Sequence, residues 1–268
     1  MNFIKKIGIS SMALMLSVSA FAQDYGIKAG DKIISLNLGS KVNYGYVSEY
    51  DVNRTVNNYD NTGYLSQPTY ISSYTNDVSN AIGVEFKYFV TSQIAVRLSG
   101  AGMISSAPSQ DYIEGIDDLT GSNDPSASVP SYAMTEGRNT QNYYVDLGAD
   151  YYFVTGIDRL NPYIGIQGNF IYGSLELTDG YRGLDDNGEV LPTYDTRQGE
   201  SYGFGGSLVG GVDYYLAPGF FLGVEIKAAS YLQTTKNIYH QTGLEAQSTY
   251  SHNTSFLTQP LIKVGFKF

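Results

Sequence analysis

Ile34-Ser35-Leu36-Asn37-Leu38-Gly39-Ser40-Lys41-Val42-Asn43-Tyr44-Gly45-Tyr46 decides the fold. Successive side chains of a strand point to opposite faces. One face then carries Ile34, Leu36, Leu38, Val42, Tyr44 and Tyr46, and the other Ser35, Asn37, Gly39, Lys41, Asn43 and Gly45. A strand that is greasy on one side and wet on the other belongs to a soluble sheet with the wet side out, or to a closed transmembrane cylinder with the wet side in.

Seven further segments repeat the alternation. Val84, Phe86 and Tyr88 alternate with Glu85 and Lys87, and Val96 and Leu98 flank Arg97. Val145, Leu147 and Tyr151 alternate with Asp146 and Asp150; Ile164 and Ile166 with Gly165 and Gln167. Tyr202, Phe204, Val212 and Tyr214 oppose Gly203, Ser207 and Asp213, while Leu222, Val224 and Ile226 oppose Glu225 and Lys227. The last segment sets Ile262, Val264, Phe266 and Phe268 against Lys263, Gly265 and Lys267. The connections near 90–93, 155–161 and 217–219 are short, and those near 47–77, 105–139, 174–199 and 233–253 are long and polar. Long links gathered at one end are the habit of membrane barrels, and a sandwich has no reason for them. The expected fold is an all-β, eight-stranded antiparallel up-and-down transmembrane barrel.

The N-terminus agrees. Lys5 and Lys6 precede an apolar stretch, Ile7 to Ser19, and Ala20-Phe21-Ala22 offers a small-x-small cleavage site. Residues 1–22 read as a cleaved signal peptide, leaving 23–268 as the barrel domain. No cysteine exists, so lipoprotein anchoring, disulfides and thiol chemistry are set aside. Losing the two lysines takes the formal charge from −10 to −12. Nucleic acid, which needs a basic footprint, is not an expected partner.

Lys263-Val264-Gly265-Phe266-Lys267-Phe268 resembles the C-terminal assembly signal of bacterial outer-membrane barrels, carried here by Gly265, Phe266 and Phe268. With eight strands and a signal peptide, the chain looks like the small OmpA/OmpX/OmpW-type barrels, in the acidic, Tyr- and Asn-rich manner of the Bacteroidota versions. The resemblance implies the outer membrane of a Gram-negative bacterium. It implies contact with outer-membrane lipid and lipopolysaccharide, and with the barrel-assembly machinery during biogenesis. No periplasmic peptidoglycan-binding domain is expected after Phe268.

Lys41, Glu85, Lys87, Arg97, Asp146, Asp150, Asp213, Glu225, Lys227, Lys263 and Lys267 fall on the wet face, five acids against six bases. An eight-stranded barrel is just wide enough for side chains to fill. Interleaved charges in that space are expected to pair into a plug, because an unpaired buried charge is costly. The short turn after the second strand predicts Glu85 opposite Arg97. The alternative is a charge-lined conduit for small or hydrophobic solutes.

Tyr44, Tyr46, Tyr172, Tyr202 and Tyr231 are expected in one interfacial girdle, and Tyr88, Tyr151, Phe153, Tyr214 and Phe220 in the other. Descending segments such as Asp150-Tyr151-Tyr152 and Asp213-Tyr214-Tyr215 end in aromatics, read here as belt residues. The loops gather Asp111, Glu114, Asp117, Asp118 and Asp124, then Asp179, Asp185, Asp186 and Glu189. Asp185-Asp186-Asn187-Gly188 lacks the spacing of a calcium loop, since Gly183 stands where an acid is needed, so no metal site is expected. His252-Asn253-Thr254 is reminiscent of a His and Ser two residues apart in eight-stranded lipid-A hydrolases, but Thr254 replaces the serine and Glu245 is the nearest acid. No catalytic set and no cofactor are expected. The sequence points to a structural or surface-interaction protein with mobile loops that meet a ligand or protein partner; a lipid-modifying enzyme is the remote alternative.

Overall fold

The computed structural model describes residues 25–39, 81–116, 129–193 and 196–268. Eight antiparallel strands close into a barrel in chain order: β1 (Lys32–Gly39), β2 (Ala81–Phe89), β3 (Ile94–Ala107), β4 (Gly137–Tyr152), β5 (Leu160–Thr178), β6 (Thr196–Ala217), β7 (Phe220–Tyr239) and β8 (Gln247–Lys267). β8 returns to β1, with Ile34 opposite Phe266, and Phe268 and Lys32 exchange backbone hydrogen bonds of 2.9 Å. Closure leaves no sheet edge along that seam. Lys41, Tyr44 and Tyr46 of the expected first strand lie outside the described residues, as does the expected signal peptide 1–22.

The alternation sorts as the sequence requires. Leu147, Ile166, Phe204 and Val224 are each at least 60% exposed, on the outside of the cylinder. Glu85, Arg97, Asp150, Asp213 and Lys263 are at most 2% exposed, on the inside. A soluble sheet would reverse this. Following the cross-strand register from Phe266 through Ile34, Phe86, Leu98, Leu147, Gly168, Gly206 and Tyr231 returns to β8 at Thr254, twelve residues from the start. That stagger over eight strands corresponds to a tilt of about 45°. On β6 the outward run from Tyr202 to Tyr214 then spans a height of about 28 Å, the thickness of a bilayer's hydrocarbon core.

Two expectations about the connections need correction. β7 and β8 continue through 233–239 and 247–253, so the last surface connection is only 240–246, no longer than the turn 153–159. The strict short–long alternation therefore fails at this point. The physical reason shows on β5 beyond Tyr172: Leu175 and Leu177 turn inward, where they pack with Ile238, while Ser174, Glu176 and Thr178 face out. Above the lipid band the strands carry the pattern of a soluble protein, and polar composition there looks like loop. The described residues of the 108–136 connection also form a ribbon, bridging Gln110–Thr135, Ile113–Tyr132 and Ile116–Val129.

The tight turn between β6 and β7 uses Pro218-Gly219, with Gly219 at φ 78°, a left-handed conformation that glycine adopts without steric cost.

Candidate functional site

The bore is filled in layers. At the turn end, Ile33, Phe89, Ala95, Tyr152, Tyr163, Tyr215 and Phe221 form a buried apolar seal, and Tyr25 and Ile27 of the N-terminal segment pack beneath it. Lys267 bonds the carbonyl of Gly26 and pairs with Asp31 at 3.4 Å, while Arg159 stacks on Tyr25 at 4.4 Å and donates to its hydroxyl. These contacts strap the segment across the mouth.

Above the seal lies the charged core. Arg97 donates to Glu225 through both terminal nitrogens at 2.9 Å, to Glu85 at 2.5 Å and to Asp150 at 3.2 Å. Lys263 meets Glu85 at 2.9 Å and also Glu225, and Lys87 meets Asp150 at 2.7 Å. Two tyrosines relay the pairing. Tyr152 accepts from Lys87 at 2.8 Å and donates to Asp213 at 2.9 Å. Tyr163 accepts from Lys263 at 3.0 Å and donates to Glu225 at 2.7 Å. Low local dielectric strengthens each bond of such a network.

The expected cross-strand pairing is corrected here. Glu85 stands opposite Ser99, and it is Lys87 that stands opposite Arg97. The turn 90–93 sets the register two residues away from the expected one. The Glu85–Arg97 ion pair still forms, on the diagonal, because a guanidinium spans that distance.

Next comes a polar chamber. Asp146 accepts from Asn169 at 2.6 Å and Gln167 at 3.2 Å and lies 3.7 Å from Lys227. With Asn37, Ser99, Tyr144 and Ser207 these residues line a cavity of about 30 Å³, room for one or two waters. At the loop end Arg197, 1% exposed, bridges Asp179 at 2.6 Å and Glu136 at 3.3 Å. All ten described members of the expected interior charge set therefore face the lumen; Lys41 lies outside the described residues.

Sequence reasoning missed part of this site. Tyr152 and Tyr215, read with the belt aromatics, turn inward together with Phe89, while Tyr88, Tyr151 and Tyr214 face out. The signal was the doublets themselves: two adjacent aromatics on one strand cannot share a face. Glycine is the other missed signal. A Cβ on Gly165 would lie 2.1 Å from Asp150, one on Gly223 2.4 Å from Asp213, and one on Gly265 2.5 Å from the Phe221 ring. Each large inward group thus sits against a glycine directly opposite on the next strand.

Outside, Tyr143, Tyr172 and Tyr202 share one cross-strand row, the first two stacked at 6.3 Å. Tyr151 meets Phe153 edge-on at 5.4 Å, and Phe220 packs on Phe266 at 5.1 Å at the other rim. Tyr231 faces out on β7 opposite Gly206, and β7 runs on beyond it to Tyr239.

In the loops, Asp185 caps its own turn: its carboxylate accepts the N–H of Glu189 at 2.8 Å and of Asn187 at 2.9 Å. Those bonds, the Glu189 amide first, hold its pKa below the ordinary carboxylate value. Asp117, Asp118 and Asp124 lie outside the described residues. His252 stacks on Tyr231 at 6.5 Å, and no carboxylate is hydrogen-bonded to it among the described residues.

Several solved outer-membrane barrels are similar. The crystal structure of OprG from Pseudomonas aeruginosa is 16% identical, with 92% of this chain and 99% of that chain covered and a TM-score of 0.38. The solution structure of Outer Membrane Protein W from Escherichia coli is 15% identical, covering 90% and 99%, at 0.35. Ail from Yersinia pestis, solved with the heparin analogue sucrose octasulfate, is 12% identical, covering 90% and 99%, at 0.31. No curated protein matches the sequence. Residues 68–268, three quarters of the chain, match the OmpA-OmpF-like porin family of outer-membrane barrels, and the chain belongs to that family.

Proposed function

We propose that this porin-family barrel is closed along its axis and works as a stiff outer-membrane anchor whose loops are the recognition elements. The Arg97–Glu225 clasp carries the reading: a bidentate ion pair joins opposite walls in the middle of the bore. An aromatic seal lies below it and a water-sized chamber above. Ions have no continuous wet path through such a stack. At the loop end, Tyr112 donates to the Tyr181 carbonyl at 2.7 Å and Tyr181 to Asp111 at 2.8 Å, which ties the 108–136 ribbon to the 179–195 loop. That shared platform bears exposed Ile113, Tyr132 and Leu184 among acids, a surface suited to a protein or ligand partner. The reading includes cleavage at Ala22 and assembly guided by the terminal Phe268.

Planar bilayers test the closed bore. The wild-type protein should give no discrete conductance steps; steps that vanish on Arg97→Gln or Lys227→Gln would establish the conduit instead. Purification in mild detergent, with mass spectrometry of what stays bound, tests the loops: a partner lost on shortening 179–195 supports recognition. Altered lipid A on overexpression, abolished by His252→Ala, would overturn the non-enzymatic reading.

A further inference from the structure

The barrel wall is thin at one place. On the outward cross-strand row, Gly168 and Gly206 are neighbours, followed by Tyr231 on β7. These glycines differ from the inward ones. A Cβ on Gly206 would meet nothing closer than the Gln167 carbonyl at 3.6 Å, and one on Gly168 nothing closer than 3.8 Å. The chain's own packing therefore does not require either residue to be small. Over Gly206 the outer face carries a notch of about 370 Å³, walled by Ile166, Leu208, Ala229 and Tyr231.

The notch lies within the lipid-facing band. On β6, Gly206 is four residues from Tyr202 and eight from Tyr214, so the notch is continuous with the surface that the bilayer covers. Its floor is shared with the interior: Gln167, Ser207 and Ser230 line both the notch and the polar chamber. A single layer of protein thus separates buried polar groups from hydrocarbon. An apolar, flexible, unbranched occupant fits this shape and shields that layer, whereas water in an apolar notch facing lipid lacks hydrogen-bond partners.

We propose that the notch seats one acyl chain of a membrane phospholipid, which completes the wall where Gly206 thins it. The test uses the full-length protein in vesicles of phosphatidylethanolamine and phosphatidylglycerol doped with a phosphatidylethanolamine carrying a photoreactive diazirine on its acyl chain. Adducts are expected on peptides bearing Leu208, Ala229 and Tyr231 at several-fold the yield on Val84 and Phe86 across the barrel. Gly206→Leu should reduce the yield to that of the remote wall. Gly210→Leu, outward on the same strand where a Cβ meets nothing within 4 Å, should leave it unchanged. Ala229→Leu fills the notch from β7, so a folding failure of one variant leaves the other as the test. Retention of the barrel's heat-sensitive gel mobility shows that each variant is folded. Even labelling around the belt, or labelling indifferent to Gly206→Leu, overturns the proposal. Displacement by free fatty acid assigns the notch to that source, and barrel-to-barrel crosslinks through Tyr231 assign it to a second copy; either result also overturns it.

Discussion

Arg97 and Glu225 clasp each other across the bore from β3 and β7, strands that share no ladder, with both guanidinium nitrogens 2.9 Å from the two carboxylate oxygens. Bidentate, charge-assisted geometry of this kind is strong and directional. The same guanidinium also holds Glu85 and Asp150. Arg97→Ala leaves all three acids short of a partner at once. Breaking a buried pair from one side costs about 3–5 kcal/mol, and urea unfolding in vesicles should show a loss of that order. Arg97→Lys keeps the charge without the fork and should fall between the two. A loss within error of zero for Arg97→Ala would mean that the network does not stabilise the barrel.

The glycine seats make a second prediction. Gly223→Ala pushes a methyl into Asp213 and Gly165→Ala pushes one into Asp150. Overpacking at a filled site costs about 1–3 kcal/mol. Gly206→Ala, whose Cβ has room, should be silent in the same unfolding assay. Equal effects at all three positions would refute the division between inward and outward glycines.

Period-two alternation made the strands, the closed fold and the inward charges legible, because one residue of slip would send Glu85 or Asp213 into lipid. Register was less legible. Lys87 and Glu85 both face inward, so either could stand opposite Arg97, and only the geometry of the 90–93 turn decides between them. The strand ends beyond the bilayer were hidden for another reason. There the outside is water, so Ser174 and Glu176 face out and Leu175 and Leu177 face in, and the rule used for the band no longer applies. Tyr152 and Tyr163 were missed because a tyrosine suits a belt and a buried relay equally well. Only its position on the strand separates the two roles.

Tyr152→Phe tests the relay. The phenol both accepts from Lys87 and donates to Asp213, and its removal leaves Asp213 without that donor. A buried polar group left unsatisfied costs about 1–3 kcal/mol. Tyr151→Phe, one residue away on the lipid face, should change little. Thermal shifts in gel mobility of the two variants, compared side by side, check the contrast.

The Asp185 turn should respond to acid. Backbone amides favour its carboxylate form and hold its pKa low. The support these bonds give the turn is therefore full above the unfolded carboxylate pKa and is lost as pH falls through the lowered folded value. Hydrogen exchange at the Glu189 and Asn187 amides, corrected for intrinsic rates, should show protection declining over that acidic window. Asp185→Ala should remove the protection at every pH while the barrel's unfolding is unchanged.

Arg197 ties the loop end together. It reaches from the start of β6 to Asp179 at the end of β5 and to Glu136 beside the ribbon's last bridge, Gln110–Thr135. Arg197→Met keeps the apolar stem but removes the cation between two buried acids, which then repel each other. The 108–136 ribbon and the 179–195 loop should open more often. Limited proteolysis of intact vesicles should then cut these segments several-fold faster, because cleavage follows the population of the open form. Urea unfolding of the membrane-embedded part should stay at the wild-type midpoint, since Arg97 pairs with other acids, Glu85 and Glu225. Faster cleavage together with a shifted midpoint would mean that loop platform and plug are one cooperative unit.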